Sequence, residues 1–139
     1  MGKPYSFGKR SRRELASCHE TLQKLAHIAI QHVDFSVIEG HRSLERQAQL
    51  YKDGKSQLLK GMHNHTPSLA FDLLPYPSTL EGVSIWDDIP RYQHFCGFIR
   101  GVAVQSGIAI RCGADWDGDF NHREHSFLDL PHFELVGVI

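Results

Sequence analysis

Apolar residues recur at helical spacing in three parts of the chain, and short apolar runs lie between them. The pattern predicts helices over residues 12–32, over residues 44–52, and from Asp88 to Gly107. Ser11 and Glu14 form a capping-box pattern before the first helix, and Ser43 is the N-cap expected for the second. The side chains expected to face the core are Leu15, Cys18, Leu22, Leu25, Ala26 and Ala29 in the first helix and Phe95, Cys96, Ile99 and Ala103 in the third.

The short apolar runs predict strands at residues 35–38, 69–74, 108–111 and 132–138. Pro75 and Pro77 end the second strand, and a long polar loop covers residues 113–126. Helices interleaved with short strands indicate an α+β fold, a small antiparallel sheet flanked by helices. With 139 residues, the chain is expected to form a single domain, residues 1–139.

The composition is that of an ordinary globular protein, with 41% hydrophobic and 22% charged residues. A formal charge of −1 gives no general attraction to nucleic acid, so no nucleic-acid partner is expected. The string His63-Asn64-His65 does not change this, because the residues of an HNH nuclease are dispersed around a ββα unit. No secretory signal or membrane-spanning run is present, which predicts synthesis in the cytoplasm without stable membrane insertion. The three cysteines are widely spaced and predict buried thiols.

Two histidine-bearing segments carry the candidate chemistry. His65 lies seven residues before Asp72, and His132 begins the last predicted strand. A carboxylate among the apolar residues of a strand is costly to bury unless a cation or several donors meet it. If the two strands are neighbours, these three side chains could converge as the ligands of a divalent metal, zinc above all, with water in the fourth position.

Motifs across most of the chain resemble those of the M15 family of LAS-type zinc peptidases, which cut bacterial cell-wall peptides. The matching segments are Gly40-His41-Arg42-Ser43 with Gln47, His65 with Ala70 and Asp72, Gly113-Ala114-Asp115-Trp116, and His132-Phe133-Glu134-Leu135. Together these segments are specific, although each alone is weak. The resemblance implies an LAS/Hedgehog-like zinc peptidase fold.

The resemblance also implies the roles of individual residues. His65, Asp72 and His132 would bind one Zn²⁺ ion. Asp129 would be the catalytic carboxylate, which takes a proton from the attacking water and passes one to the leaving amine. Arg42 would hold a substrate carboxylate or the developing oxyanion.

The chain departs from the family pattern at two positions near the first ligand. His63 stands where the family usually has serine, and Ser68 where it usually has glycine. His63 is therefore a second candidate for the first ligand, whereas the seven-residue spacing to Asp72 favours His65. A glycine is needed at position 68 only if the turn there requires a positive φ.

The implied function is hydrolysis of the L-Ala–D-Glu bond in the peptidoglycan stem peptide. The chain would be a monomeric phage endolysin that stays in the bacterial cytoplasm until lysis and then reaches the periplasm and cell wall. Two alternatives remain: a D-Ala-D-Ala carboxypeptidase of the same family, and a zinc-stabilised binding module without catalysis.

A second metal is predicted more weakly. Asp115, Asp117 and Asp119 alternate as in the first part of an EF-hand loop. The acidic residue expected at position twelve and the flanking helices are lacking. A solvated acidic loop is favoured, with Ca²⁺ binding as the alternative.

Overall fold

Helices and short strands alternate along the chain. The structure, a computed structural model, describes residues 5–56, 58, 60–116 and 129–138. Its helices are α1 (Lys9–Ala16), α2 (Glu20–Ala29), α3 (Leu44–Lys52) and α4 (Ile89–Gln105). Its strands are β1 (Phe35–Glu39), β2 (Ala70–Pro75), β3 (Thr79–Leu80), β4 (Val83–Ser84), β5 (Ile110–Cys112) and β6 (His132–Leu135). Short 3₁₀ turns lie at Met62–Asn64 and Ile85–Asp87.

Four of these strands form one antiparallel sheet in the order β1-β2-β6-β5. The two strands that carry the candidate ligands are therefore neighbours, and Asp72 lies directly opposite His132. Glu134 lies opposite Ala70 on one side and Arg111 on the other. The α+β prediction, a small antiparallel sheet flanked by helices, is confirmed.

The predicted apolar faces are buried. All ten side chains expected to face inward from the first and third predicted helices belong to one hydrophobic core cluster. In this cluster α2 and α4 contact each other, and aromatic residues of the sheet pack against α4, with the rings of Phe95 and Phe133 6.1 Å apart. Burial of these faces is the main stabilising contribution that the sequence pattern predicts.

The helix predicted over residues 12–32 is instead two helices, α1 and α2, and this part of the prediction is wrong. The break falls at Ser17–His19, where the backbone pairs with Ser68: the amide of Ser68 donates to the Ser17 carbonyl at 2.9 Å, and the amide of His19 donates to the Ser68 carbonyl at 2.8 Å. The His19 ring then caps α2 by accepting from the Thr21 amide at 3.1 Å. The break therefore ties the segment before β2 to the end of α1.

The predicted capping box at Ser11 and Glu14 is also not formed. Gly8 is the N-cap of α1, and Ser11 is buried inside the helix, where its hydroxyl accepts from the Val37 amide at 3.0 Å. Glu14 accepts from the amide of Gly40 at 3.1 Å. Both polar side chains thus bind backbone groups of the β1 region rather than those of their own helix.

The predicted boundaries of α3 and α4 agree with the structure, whereas α2 ends at Ala29, before the predicted residue 32. Ser43 accepts from the Arg46 amide and caps α3, Asp88 accepts from the Arg91 amide and caps α4, and Gly107 takes a positive φ of 71° after α4. The last strand ends at Leu135, earlier than predicted, because Gly137 turns the chain with φ 79°. The β3–β4 hairpin was not predicted. Among the described residues, no helix combines the length and apolar character needed to cross a bilayer.

Candidate metal centre and active site

Three buried side chains converge where β2 meets β6. His63, Asp72 and His132 each offer one ligand atom, and these atoms lie within 4.8 Å of one another. The Asp72 Oδ1 atom is 3.0 Å from His63 Nε2 and 3.5 Å from His132 Nδ1. Two imidazole nitrogens and one carboxylate oxygen form a group that could hold a metal ion.

The histidine in this group is His63 rather than the predicted ligand His65. The 3₁₀ turn Met62–Asn64 directs the His63 ring into the interior, where it is buried, whereas His65, just after the turn, is exposed. The predicted pair of Asp72 and His132 is brought together as expected. The ligand set that the geometry supports therefore differs from the predicted set at its first member.

The ring nitrogens of both histidines are oriented by hydrogen bonds on their far sides. His63 Nδ1 lies 2.7 Å from the Gly40 carbonyl oxygen, which only accepts, so Nδ1 carries the proton. His132 Nε2 lies 2.7 Å from Glu134 Oε1 and donates to that carboxylate. In neutral rings His63 Nε2 and His132 Nδ1 are left with free lone pairs facing Asp72. In metal sites, a hydrogen bond from the second ring nitrogen commonly fixes the tautomer and orientation of a histidine ligand. His63 and His132 both have such a hydrogen bond, so the residues fit a metal site.

The charges at the centre favour a cation between these groups. Burial alone would raise the pKa of Asp72, but the neighbouring His63 and His132 outweigh it and hold this pKa well below its usual range. Burial lowers the pKa of His132, yet hydrogen bonds with Asp72 and Glu134 raise it to about 9. Asp72 is thus a carboxylate, and its lone pairs face imidazole nitrogens that need a proton or a metal ion between them.

Asp129 lies beside this group, 4.0 Å from His132 Nδ1 through its Oδ2 atom. Burial and the negative charge of Asp72 raise the pKa of Asp129. Its backbone is held by Gly113, whose carbonyl accepts from the Asp129 amide at 3.0 Å. A Cβ atom at position 113 would collide with the Asp129 carbonyl, so this turn requires glycine. The glycine of the predicted Gly113–Trp116 turn therefore positions the carboxylate.

Arg42 is mostly buried and held from two sides. Its guanidinium donates to Glu39 and, at 2.9 Å, to Gln47 Oε1, and its Nη2 atom is 3.5 Å from Asp72 Oδ2. Gln47 in turn donates to the Leu58 carbonyl at 2.6 Å. Arg42 is thus fixed next to the candidate metal ligands, and its predicted role in holding the substrate or the oxyanion stays a prediction.

A cavity of about 740 Å³ opens over the site. Its lining residues are Arg42, Gln47, Ser56, Leu58, Lys60, Gly61, Met62, His63, His65, Arg111, Trp116, Asp129, His132 and Glu134. The Trp116 ring lies 5.5 Å from the His132 ring and forms part of the wall. The cavity thus brings cationic, apolar and acid–base groups together in one lining.

Ser68 fits its position without glycine. It is fully buried, its hydroxyl donates to the Ala70 carbonyl at 2.6 Å, and it is not among the described residues with positive φ, of which Glu81 is the one non-glycine example.

The predicted Ca²⁺ group is only partly within the described residues. Asp115 pairs with Arg100 at 3.2 Å, and Asp117 and Asp119 lie outside the described residues, so Ca²⁺ binding stays a prediction.

Four residues of the site, His63, Glu134, Arg111 and Glu39, were not assigned a role from the sequence. The departure from the family pattern at His63 was the one local signal for its role, because its partner Gly40 is 23 residues away. Glu134 was visible as a residue on the same strand face as His132, since side chains two apart share a face. For Arg111 and Glu39 no local motif was available.

Comparisons with known proteins show which proteins the chain is similar to. Residues 3–136 match the model of the phage L-alanyl-D-glutamate peptidase family. The L-alanyl-D-glutamate peptidase of Escherichia phage T5 is 30% identical over 138 residues, which cover 95% of this chain and 98% of that protein. The crystal structure of the Serratia marcescens L-Ala D-Glu endopeptidase ChiX is similar with a TM-score of 0.71 and 29% identity, covering 94% of this chain and 90% of that one.

Proposed function

The chain belongs to the phage L-alanyl-D-glutamate peptidase family, and from this premise we propose that it hydrolyses the L-Ala–D-Glu bond of the peptidoglycan stem peptide. The family resemblance inferred from the sequence motifs is confirmed. One observation carries the proposal most directly: three potential metal ligands with oriented lone pairs lie beside Asp129 in the wall of one cavity. Three metal ligands beside an acid–base carboxylate are the groups that a metal-dependent peptidase needs.

His63, Asp72 and His132 would hold a single Zn²⁺ ion. Two neutral imidazoles and one carboxylate are typical zinc ligands, and three protein ligands leave a position open for catalysis. When bound there, zinc supplies Lewis acidity, which polarises the scissile carbonyl and makes water more acidic. His65 remains outside this set, as an exposed residue of the cavity wall.

Asp129 is the proposed acid–base residue. A carboxyl group with a raised pKa can take a proton from the attacking water and hold it at its Oδ2 atom. It then passes this proton to the leaving amino group of D-Glu, which leaves the carboxylate ready for the next cycle. Its position 4.0 Å from His132 Nδ1 puts the proton transfer next to the proposed ligands.

Arg42 is proposed to bind the substrate. A guanidinium has five N–H donors, and among the described residues the contacts to Glu39, Gln47 and Asp72 use one of the two N–H groups on Nη1, so the other can serve a peptide oxygen. Because Arg42 is fixed before substrate arrives, little side-chain entropy is lost on binding. We assign it the substrate carboxylate or the developing oxyanion.

The cavity lining offers groups that suit a stem peptide. Lys60, Arg42 and Arg111 bring positive charge to its lining, and the stem peptide carries free carboxylates. Leu58, Met62 and Trp116 offer apolar surface for its methyl and methylene groups. In the cell the proposed role is that of an endolysin, which acts on the wall once the membrane has been permeabilised.

Mass spectrometry of purified peptidoglycan after digestion tests this function. We expect new D-Glu amino termini, and released D-Ala would instead indicate a carboxypeptidase. The matched variant Asp129→Asn keeps the size of the side chain but not its acid–base function. It should bind zinc like the wild type and lose about 10²- to 10⁴-fold in turnover. A wild-type protein that binds zinc but cuts no wall peptide would identify a binding module.

A further inference from the structure

Two charged residues outside the proposed ligand set connect His132 to the cavity rim. Arg111 on β5 and Glu134 on β6 are direct cross-strand partners. The Arg111 Nη2 atom donates to Glu134 Oε2 at 2.9 Å, and His132 Nε2 donates to Glu134 Oε1 at 2.7 Å. Each oxygen of one carboxylate thus has its own donor, and the three residues form a continuous chain.

Glu134 is buried, with a side chain 9% exposed, so its charge depends on these two donors. An ionised carboxylate only accepts hydrogen bonds, and it therefore keeps the proton of His132 on Nε2. When the ring is neutral, as metal binding requires, this leaves the Nδ1 lone pair directed towards Asp72. The Gly40 carbonyl does the equivalent for His63 on the other side of the site.

Arg111 differs from an ordinary surface ion-pair partner. Its side chain is 47% exposed, and exposed ion pairs contribute little to stability. Its partner is, however, a buried carboxylate whose other oxygen orients His132. Without Arg111, Glu134 Oε2 would lose the donor described here, and the carboxylate could turn away from His132 to find another.

We propose that Glu134 and Arg111 are positioning residues for the metal, with Arg111 acting through Glu134 to hold His132 Nδ1 in its ligating orientation. The inference rests on the proposed function in one respect, the binding of Zn²⁺ by His63, Asp72 and His132. It adds a role for two residues outside the proposed ligand set. Glu134 fixes the tautomer of the ring, and Arg111 fixes the rotation of Glu134.

Zinc affinity without substrate is the decisive measurement, because Arg111 also lines the cavity and its loss could affect activity through substrate binding. Competition with a chromogenic chelator gives the dissociation constant for Zn²⁺. Glu134→Gln should weaken binding about 10-fold, because an amide can also donate to Nε2 and so favour the wrong tautomer. Arg111→Ala should weaken it about 3-fold.

The double variant shows whether Arg111 acts through Glu134. In the Glu134→Gln background, Arg111→Ala should cause no further loss of zinc affinity. The proposal would be overturned if the two substitutions weakened zinc binding independently, so that their fold-changes multiplied in the double variant. It would also be overturned if Arg111→Ala alone bound zinc with wild-type affinity. Lys24→Ala is the control for the loss of a positive charge, since Lys24 is an exposed residue of α2. It should bind zinc like the wild type.

Two further readouts separate positioning from folding and from the proposed function. The unfolding midpoint of the metal-free Arg111→Ala protein should stay near that of the wild type, and the visible spectrum of its Co²⁺ form should change. An unchanged Co²⁺ spectrum would contradict the positioning role. If the wild type itself bound no zinc, the metal proposal would fail, and this inference would fail with it. If the wild type bound zinc and the Glu134 and Arg111 variants bound it with the same affinity, only this inference would be refuted.

Discussion

The His63 ring donates its Nδ1 proton to the carbonyl oxygen of Gly40, across a distance of 2.7 Å. This contact turns His63 Nε2 towards Asp72, and it connects the end of β1 to the turn before β2. Gly40 is itself packed against the end of α1, near Ser17 and Cys18. The first proposed ligand is therefore oriented by the junction of two helices and the sheet.

Gly40→Ala tests this junction. A Cβ atom there would lie 2.5 Å from the Ser17 hydroxyl oxygen and 2.8 Å from the Cys18 sulfur, and it would also meet the Glu14 carbonyl. We expect a loss of about 1–3 kcal/mol in the free energy of unfolding, measured with urea, together with weaker zinc binding. Gly101→Ala is the control, because nothing lies within 4 Å of its Cβ position in α4, and it should stabilise the protein by about 0.5–1 kcal/mol. Equal stability of Gly40→Ala and wild type would refute the packing argument.

Gln47 is expected to support both the cavity wall and Arg42. It is almost fully buried, donates to the Leu58 carbonyl and accepts from Arg42. Gln47→Leu removes the hydrogen bonds that Gln47 makes with Arg42 and the Leu58 carbonyl, and it should lower the free energy of unfolding by about 1–3 kcal/mol while raising KM. Gln49→Leu on the exposed side of the same helix should stay within about 0.5 kcal/mol of wild type. Similar effects of both variants would contradict this role.

The Glu39 carboxylate should make stability depend on acid pH. Burial would raise its pKa, but hydrogen bonds from Arg42 and Arg46 outweigh it, so the pKa in the folded protein is below the ordinary value of 4.5. As the pH falls, Glu39 is therefore protonated in the unfolded chain before it is protonated in the folded protein. The stabilisation by the Glu39 carboxylate is fully present above pH 4.5 and is lost as the pH falls through the lowered pKa. At pH 7, Glu39→Gln should cost about 1.5–3 kcal/mol.

The difference between Glu39→Gln and wild type should therefore shrink as the pH falls below 4.5. Urea unfolding of both proteins at several pH values between neutral and strongly acidic gives this difference directly. Other titrating groups are common to both proteins, so their contributions cancel. A difference that stays constant over this range would show that Glu39 is not held as a stabilising carboxylate.

Features set by neighbours in the sequence could be predicted, and features set by distant contacts could not. The caps at Ser43 and Asp88 were predictable because each accepts from a backbone amide three residues on. The apolar spacing likewise identified the core faces of α2 and α4. The break before α2 was not predictable, because it depends on pairing with Ser68, some fifty residues away along the chain.

The candidate site divides in the same way. Asp72, His132, Asp129 and Arg42 could be identified from motifs whose spacing is kept in this chain. His63 could not be chosen over His65, since the choice depends on the turn Met62–Asn64 and on an acceptor at Gly40. Spacing along the chain favoured one histidine, and the folded geometry favours the other.

Zinc content of the matched variants His63→Ala and His65→Ala tests the central claim most directly. Both proteins are purified with added zinc, desalted, and analysed for metal per chain. His65→Ala should retain about one zinc per chain like the wild type, and His63→Ala should lose most of it, because removal of one of three protein ligands weakens binding strongly. The reverse result, zinc kept by His63→Ala and lost by His65→Ala, would contradict the proposed ligand set.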